Sequence, residues 1–147
     1  MFMMMAMTVS LRGTCPRLSV GAIIVKHNHV VSTGYNGAPS GLPHCTHGPD
    51  EPEGGCKDTV HAEANAIAFA AREGIATRRG TIYCTHSPCI ECAKLIVSAG
   101  INRLVYMIPY RDEAPLKLLR AAGLKVEKVE PESVQFYEGT GVKDAKR

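Results

Sequence analysis

An α/β fold built on a mixed sheet is what this sequence predicts. Two β-rich runs, "VGAIIVK" and "VVSTGY", are joined by "HNH" as the arms of a hairpin would be. Behind them, strand-like and helix-like segments alternate through "LKVEKVE". A hairpin followed by that alternation gives a sheet with a parallel half and helices over its faces, joined by right-handed crossovers. With 147 residues, 45% of them hydrophobic, residues 1–147 read as one domain with a real core.

In chain order, "MFMMMAMTVSLR" is a short, mostly apolar helix ending near Gly13. The hairpin comes next. Then "NGAPSGLPHCTHGPDEPEGGCKD", dense in Gly and Pro, forms a long irregular stretch, and loops of that length are usually functional or clamped. "TVHAEANAIAFAAREG" has a polar start, an alanine-rich body and a glycine stop, hence a helix. "GTIYCT" is a strand, and "PCIECAKLIVSAG" a helix with Pro88 in its first turn and Gly100 past its end. "NRLVYMI" is a strand, "EAPLKLLRAAG" a helix, and "LKVEKVE" a last strand with period-two alternation. From "VKDAKR" onward nothing demands order, and a mobile tail is expected.

Composition narrows the partners. Net charge is only +3, there is no Trp, and aromatics make up 5% of the chain. A surface for nucleic acid combines a basic stripe with stacking aromatics, so a small-molecule partner is favoured over a polymer. No apolar run has the length of a membrane span. "MFMMMAM" lacks both a preceding positive residue and a small-residue cleavage site, which argues for a cytoplasmic protein. In a reducing compartment six cysteines point to metal or chemistry more than to disulfides.

Two of them sit three apart in "SPCIECAKLI". Cys89 and Cys92 alone would fit a redox pair, a closed structural metal clip or core thiols. "HAE" changes the balance: His61 supplies an imidazole and the cysteines two softer sulfurs, each from a segment that starts a helix. The helix dipole there helps keep thiolates ionised. Three protein ligands leave a fourth position for water, the pattern of a catalytic zinc, which lowers the pKa of that water to about 7. Glu63, two residues beyond His61, is placed to move the proton rather than to bind the ion. H-x-E followed by P-C-x-x-C is the signature of zinc nucleobase deaminases.

With "TCPRLSVGAIIV", "TGYNGAPSGLPHC", "CKDTVHAEANAI" and "SPCIECAKLIVSAGI" in that order, the chain resembles the deoxycytidylate (dCMP) deaminases of the cytidine deaminase-like superfamily. The resemblance runs from about Met3 to Tyr110. It implies a three-layer α/β/α sandwich around a five-stranded mixed sheet, and zinc-dependent hydrolysis of dCMP to dUMP and ammonia. By the same resemblance His61, Cys89 and Cys92 hold the catalytic zinc, and Glu63 protonates ring N3 and then the departing amine. The Ala62 N–H and the Ser87 carbonyl contact the base edge, and Asn36 hydrogen-bonds the sugar. The alternatives are a deaminase of a modified deoxycytidylate or another base, or an inactive zinc-stabilised interaction module; retention of Glu63 argues against the last.

A monophosphate also needs a cation. Arg17 is the first choice, since Arg grips phosphate with two parallel donors, and Tyr110 and Arg111 in "PYRD" stand behind it. Cys15, Cys45 and Cys56 match cysteines that hold a structural zinc in relatives. This chain has "HCTHGPD" where those often carry another cysteine, so His47, with His44 as alternative, is the expected fourth ligand. Such a clip would order the loop, because metal binding supplies folding free energy. Cys84 reads as a small core residue and His86 as a wall of the pocket. The resemblance further implies a homo-oligomer, a hexamer in many relatives. It would be activated by dCTP and inhibited by dTTP, with Mg2+ accompanying the triphosphate, at a pocket involving Tyr35, Gly37 and Arg72.

Overall fold

A computed structural model describes residues 1–50 and 55–134. The "VKDAKR" tail, for which mobility is expected, lies outside the described residues. The elements are α1 (Phe2–Ser10), β1 (Gly21–Lys26), β2 (His29–Tyr35), α2 (Ala62–Arg72), β3 (Thr81–His86), α3 (Ile90–Ser98), β4 (Arg103–Ile108), α4 (Ala114–Ala121) and β5 (Lys125–Lys128), then a 3-10 turn at Pro131–Ser133. No helix among them is long and apolar enough to cross a membrane.

The hairpin is tighter than "HNH" implies. His29 pairs with Lys26, so only His27 and Asn28 form the turn, both at positive φ (49° and 63°). Two successive left-handed residues match the right-handed twist of the strands they join. β1 also pairs antiparallel with β3, and β3, β4 and β5 run parallel, giving one five-stranded sheet in the order β2-β1-β3-β4-β5.

Period-two alternation divides the core. Ala22, Ile24, Ile82, Cys84, Leu104 and Tyr106 face Ala62 and Ala66 of α2, Ala93 and Ile96 of α3, and Leu116 and Leu119 of α4. Their neighbours Ile23, Val25, Val105 and Met107 face Met3 and Ala6 of α1. Three helices on one side and one on the other make the three layers. Two glycines let the helices sit this close. A Cβ on Gly34 would lie 2.2 Å from the Ala62 carbonyl oxygen, and one on Gly21 would lie 2.1 Å from that of Ala6.

Both site-bearing helices begin later than the sequence suggests. Thr59 and Val60 are not helical; Val60 exchanges two backbone bonds with Gly37, which fixes it as extended chain. His61 then becomes the N-cap of α2, and Cys89 that of α3, each with extended backbone.

The topology gathers chain ends on one edge. β3 and β4 point their C-termini there, antiparallel β1 brings its start, and β2 brings its end. In open α/β sheets that edge is where ligands bind.

Candidate active site

A cleft of about 380 Å³ opens at that edge. Its lining includes His61, Glu63, Cys89, Asn36, Arg17 and Tyr110.

His61 and Cys89 cap no helix with their side chains, so both are free to turn toward each other. His61 Nδ1 lies 3.4 Å from Cys89 Sγ and 3.5 Å from Cys92 Sγ. Zinc with bonds of about 2.05 Å to nitrogen and about 2.3 Å to sulfur at a tetrahedral angle would separate N from S by roughly 3.5 Å. The donor set and its spacing therefore fit zinc. Cys89 in this arrangement carries a thiolate, its pKa drawn to about 3 chiefly by the hydrogen bond from Cys92 and then, against burial, by His61. Cys92 is pushed up, because it supplies that proton to Cys89. His61 is raised, mainly by its hydrogen bond with Cys89.

Glu63, in the first turn of α2, is 4% exposed. Burial pushes its carboxyl above the ordinary range, only partly offset by a backbone hydrogen bond and the charge of His61. A carboxyl so placed at the floor of a cleft suits proton transfer.

A second cluster lies beside the first. Donor atoms of Cys15, Cys45, His47 and Cys56 all fall within 4.8 Å of one another. His47, not His44, is the histidine brought there. Its Nδ1 hydrogen-bonds the Gly48 carbonyl at 2.8 Å, which leaves Nε2 facing Cys15 Sγ at 3.7 Å. Cys56 is drawn down to about 6: burial opposes the shift, and hydrogen bonds with His47 and the Asp58 backbone outweigh it. Cys45 is pushed up to about 11, first by burial and then by Cys56 and Cys15.

The remaining expected residues divide. Asn36 lines the cleft, yet its amide is engaged: Oδ1 accepts the Val20 N–H at 2.7 Å and Nδ2 donates to the Leu18 carbonyl at 2.6 Å. One amide hydrogen and one lone pair of that amide are left over. Ser87 donates its N–H to the Ile108 carbonyl, and its Oγ accepts the Tyr110 N–H at 2.7 Å. Ser87 thus ties the loop after β4 to the cleft, using neither bond on its carbonyl. Ala62 lines the cleft at the start of α2, where backbone N–H groups lack helical partners. Arg17 and Arg111 line it as well, Arg111 with its guanidinium over the Tyr110 ring. His86 forms a wall, lowered in pKa by burial, and Cys84 is fully buried in the core.

Tyr35, Gly37 and Arg72 are not brought together. Tyr35 accepts a hydrogen bond from Asn65 near the start of α2, whereas Arg72 pairs with Glu73 at the far end of that helix. Lys57 escapes the sequence reading altogether and stands on the cleft wall. A lysine directly after a metal-type cysteine was its only signal.

A mixed sheet with two thiols, an imidazole and a buried carboxyl at its ligand-binding edge defines a zinc-binding deaminase. The chain belongs to the family described as "Cytidine and deoxycytidylate deaminase zinc-binding region", whose model matches residues 1–108. ComE operon protein 2 of Bacillus subtilis is 42% identical over 134 residues, covering 88% of this chain and 69% of that protein. Deoxycytidylate deaminase of Saccharomyces cerevisiae is 37% identical over 133 residues, 85% of this chain but 42% of the yeast protein, so the chain spans less than half of that relative. Among solved structures, dCMP deaminase from cyanophage S-TIM5 in complex with dCMP and dUMP superposes with a TM-score of 0.79. It is 35% identical and covers 87% of this chain and 93% of its own. The three-layer sandwich expected from the sequence is the fold that the two share.

Proposed function

We propose that this chain is a single deaminase domain that hydrolyses dCMP to dUMP and ammonia in pyrimidine deoxynucleotide metabolism. One observation carries the reading: His61 and Cys89, which cluster with Cys92, line the same cleft as the buried Glu63 and Arg17. His61, Cys89 and Cys92 would hold the zinc, which when bound acidifies water at neutral pH. Ala62 N–H and Ser87 orient the base edge, and the remaining amide capacity of Asn36 meets the sugar. Glu63 takes one proton of the attacking water as its oxygen bonds C4 and delivers it to ring N3; it then takes the proton left on that oxygen and passes it to the amine, which leaves C4 as ammonia. Arg17, with Tyr110 and Arg111, receives the phosphate. The second cluster, Cys15, Cys45, His47 and Cys56, holds a structural zinc in this reading.

Sequence resemblance also supports a cytoplasmic homo-oligomer, hexameric as in many relatives. The same resemblance supports activation by dCTP with Mg2+ and inhibition by dTTP. Tyr35, Gly37 and Arg72 would then meet an effector only if subunits bring them together, since one chain keeps Arg72 at the other end of α2.

The test is ammonia release by the purified protein from dCMP, cytidine, dCTP and 5-hydroxymethyl-dCMP, with and without dCTP as effector. Turnover of dCMP well above that of cytidine is expected. Preference for the 5-substituted nucleotide would instead mark a deaminase of modified deoxycytidylate, and no turnover of any would sink the reading.

A further inference from the structure

The cations at the cleft hang from the second cluster. Arg17 follows Cys15 by two residues through Pro16, and Lys57 directly follows Cys56; both side chains line the cleft. Arg111 lines the cleft from the loop after β4, and its Nη2 lies 3.4 Å from where a Cβ on Gly55 would stand, one residue before Cys56. Cys15 and Cys56 themselves line the cleft, while Cys45 and His47 complete the cluster without appearing in its wall.

Among the described residues, the stretch that carries Cys45, His47 and Cys56 makes few backbone hydrogen bonds. From 38 to 59 none of the described residues forms a helix or strand, and the backbone pairing within that span is a turn at Pro39–Leu42; at its ends Gly37 bridges Val60, and Asn36 bonds the backbone of Thr14 and Val20 on either side of Arg17. A long cationic side chain on a loose segment loses rotamer and backbone freedom when it grips an anion, and that loss weakens binding. The segment that carries Arg17 is already held to Asn36 through Thr14, Leu18 and Val20, so tying Cys56 to Cys15 removes much of that freedom for Lys57 and fixes it on the cleft that Arg17 lines. The carboxylate also present at this rim, Asp112, accepts the Ala114 N–H at 2.7 Å and is thereby engaged at the start of α4.

We infer that the Cys15–Cys45–His47–Cys56 cluster, when it holds a divalent metal, is a positioning clamp. It sets Arg17, Lys57 and Arg111 around the substrate phosphate and so selects a nucleoside monophosphate over the free nucleoside. The inference rests on the proposed deamination of a nucleotide, and it gives the cluster a role in specificity beyond ordering a loop.

The test compares wild type, Cys45→Ala and Lys57→Gln. Zinc per chain is measured in each, inorganic phosphate binding is followed by 31P NMR, and kcat and KM are taken for dCMP and deoxycytidine. Cys45→Ala is expected to carry about one zinc fewer and to bind phosphate at least tenfold more weakly. Its kcat/KM ratio of dCMP over deoxycytidine should fall tenfold or more, through KM for dCMP rather than kcat. Lys57→Gln should keep its zinc and still lose phosphate affinity severalfold. His47→Gln replaces Cys45→Ala if the latter does not fold, with the same expectation. Loss of the metal with phosphate affinity unchanged would overturn the inference, as would equal losses for dCMP and deoxycytidine or unaltered phosphate binding in Lys57→Gln. If wild type released ammonia from neither substrate, the deaminase reading would fall, while the phosphate arm would still decide whether the cluster organises an anion site.

Discussion

At Glu63 two opposing demands meet: in the proposed mechanism its carboxylate accepts a proton from water, yet burial favours the protonated form. Burial that raises the carboxyl makes it a better proton acceptor than a solvated glutamate. Glu63→Gln keeps the shape but replaces the titratable carboxyl by an amide that neither takes up nor releases a proton near neutral pH. Its kcat for dCMP should drop by roughly 10²–10⁴-fold with zinc content unchanged; near-normal turnover would remove Glu63 from the mechanism. The local motifs were legible because His61, Glu63, Cys89 and Cys92 each lie within a few residues of a helix start. Asn36 was less so. Its bonds to Leu18 and Val20 span 18 and 16 residues, and no spacing rule reveals a side-chain amide stitched to so distant a backbone.

Among the elements, the packing of α2 on β2 decides where His61 and Glu63 stand. Gly34 permits it, since a Cβ there would press into the Ala62 carbonyl and the Ala66 nitrogen at 2.4 Å, both backbone atoms that cannot swing away. Gly34→Ala should therefore cost roughly 1–3 kcal/mol of stability. It should also lower kcat by displacing the start of α2, while Gly48→Ala, at an exposed glycine with open space around its Cβ, serves as the control. Denaturant melts and kinetics on the same preparations check both. At the other edge of the sheet, Glu127 of β5 lies between Lys125 and Arg103 of β4, and those two cations, Lys125 first, hold its carboxyl below the usual range. A depressed folded pKa adds stability that is full above the free glutamate value of about 4.3 and fades as pH falls through the folded value. Glu127→Gln should accordingly melt slightly below wild type at pH 7, and the gap should close on acidification; a gap that widened in acid would contradict the pairing. The order of elements was readable from the alternating patterns, but the starts of α2 and α3 were not. Val60 is held extended by Gly37, a partner 23 positions away, so the polar start of "TVHAE" misplaces the cap.

For the molecule as a whole, sheet topology converts separated sequence motifs into one cleft. Antiparallel β1 and β2 deliver Arg17 and Asn36 to the edge where parallel β3 and β4 deliver Cys89 and Tyr110. Lys57 stayed hidden from the sequence because a lysine in a Gly/Pro-rich loop ordinarily reads as solvated, and only the folded position of Cys56 aims it at the cleft. The proposed chemistry needs a metal held by one imidazole and two sulfurs, with solvent access beside Glu63. Anomalous X-ray scattering at the zinc edge, from crystals of the zinc-loaded protein, tests it most directly. A peak is predicted about 2 Å from His61 Nδ1 and about 2.3 Å from both sulfurs, with its fourth side open toward the Glu63 carboxyl. No peak at that position, or a fourth protein donor closing that side, would contradict the account.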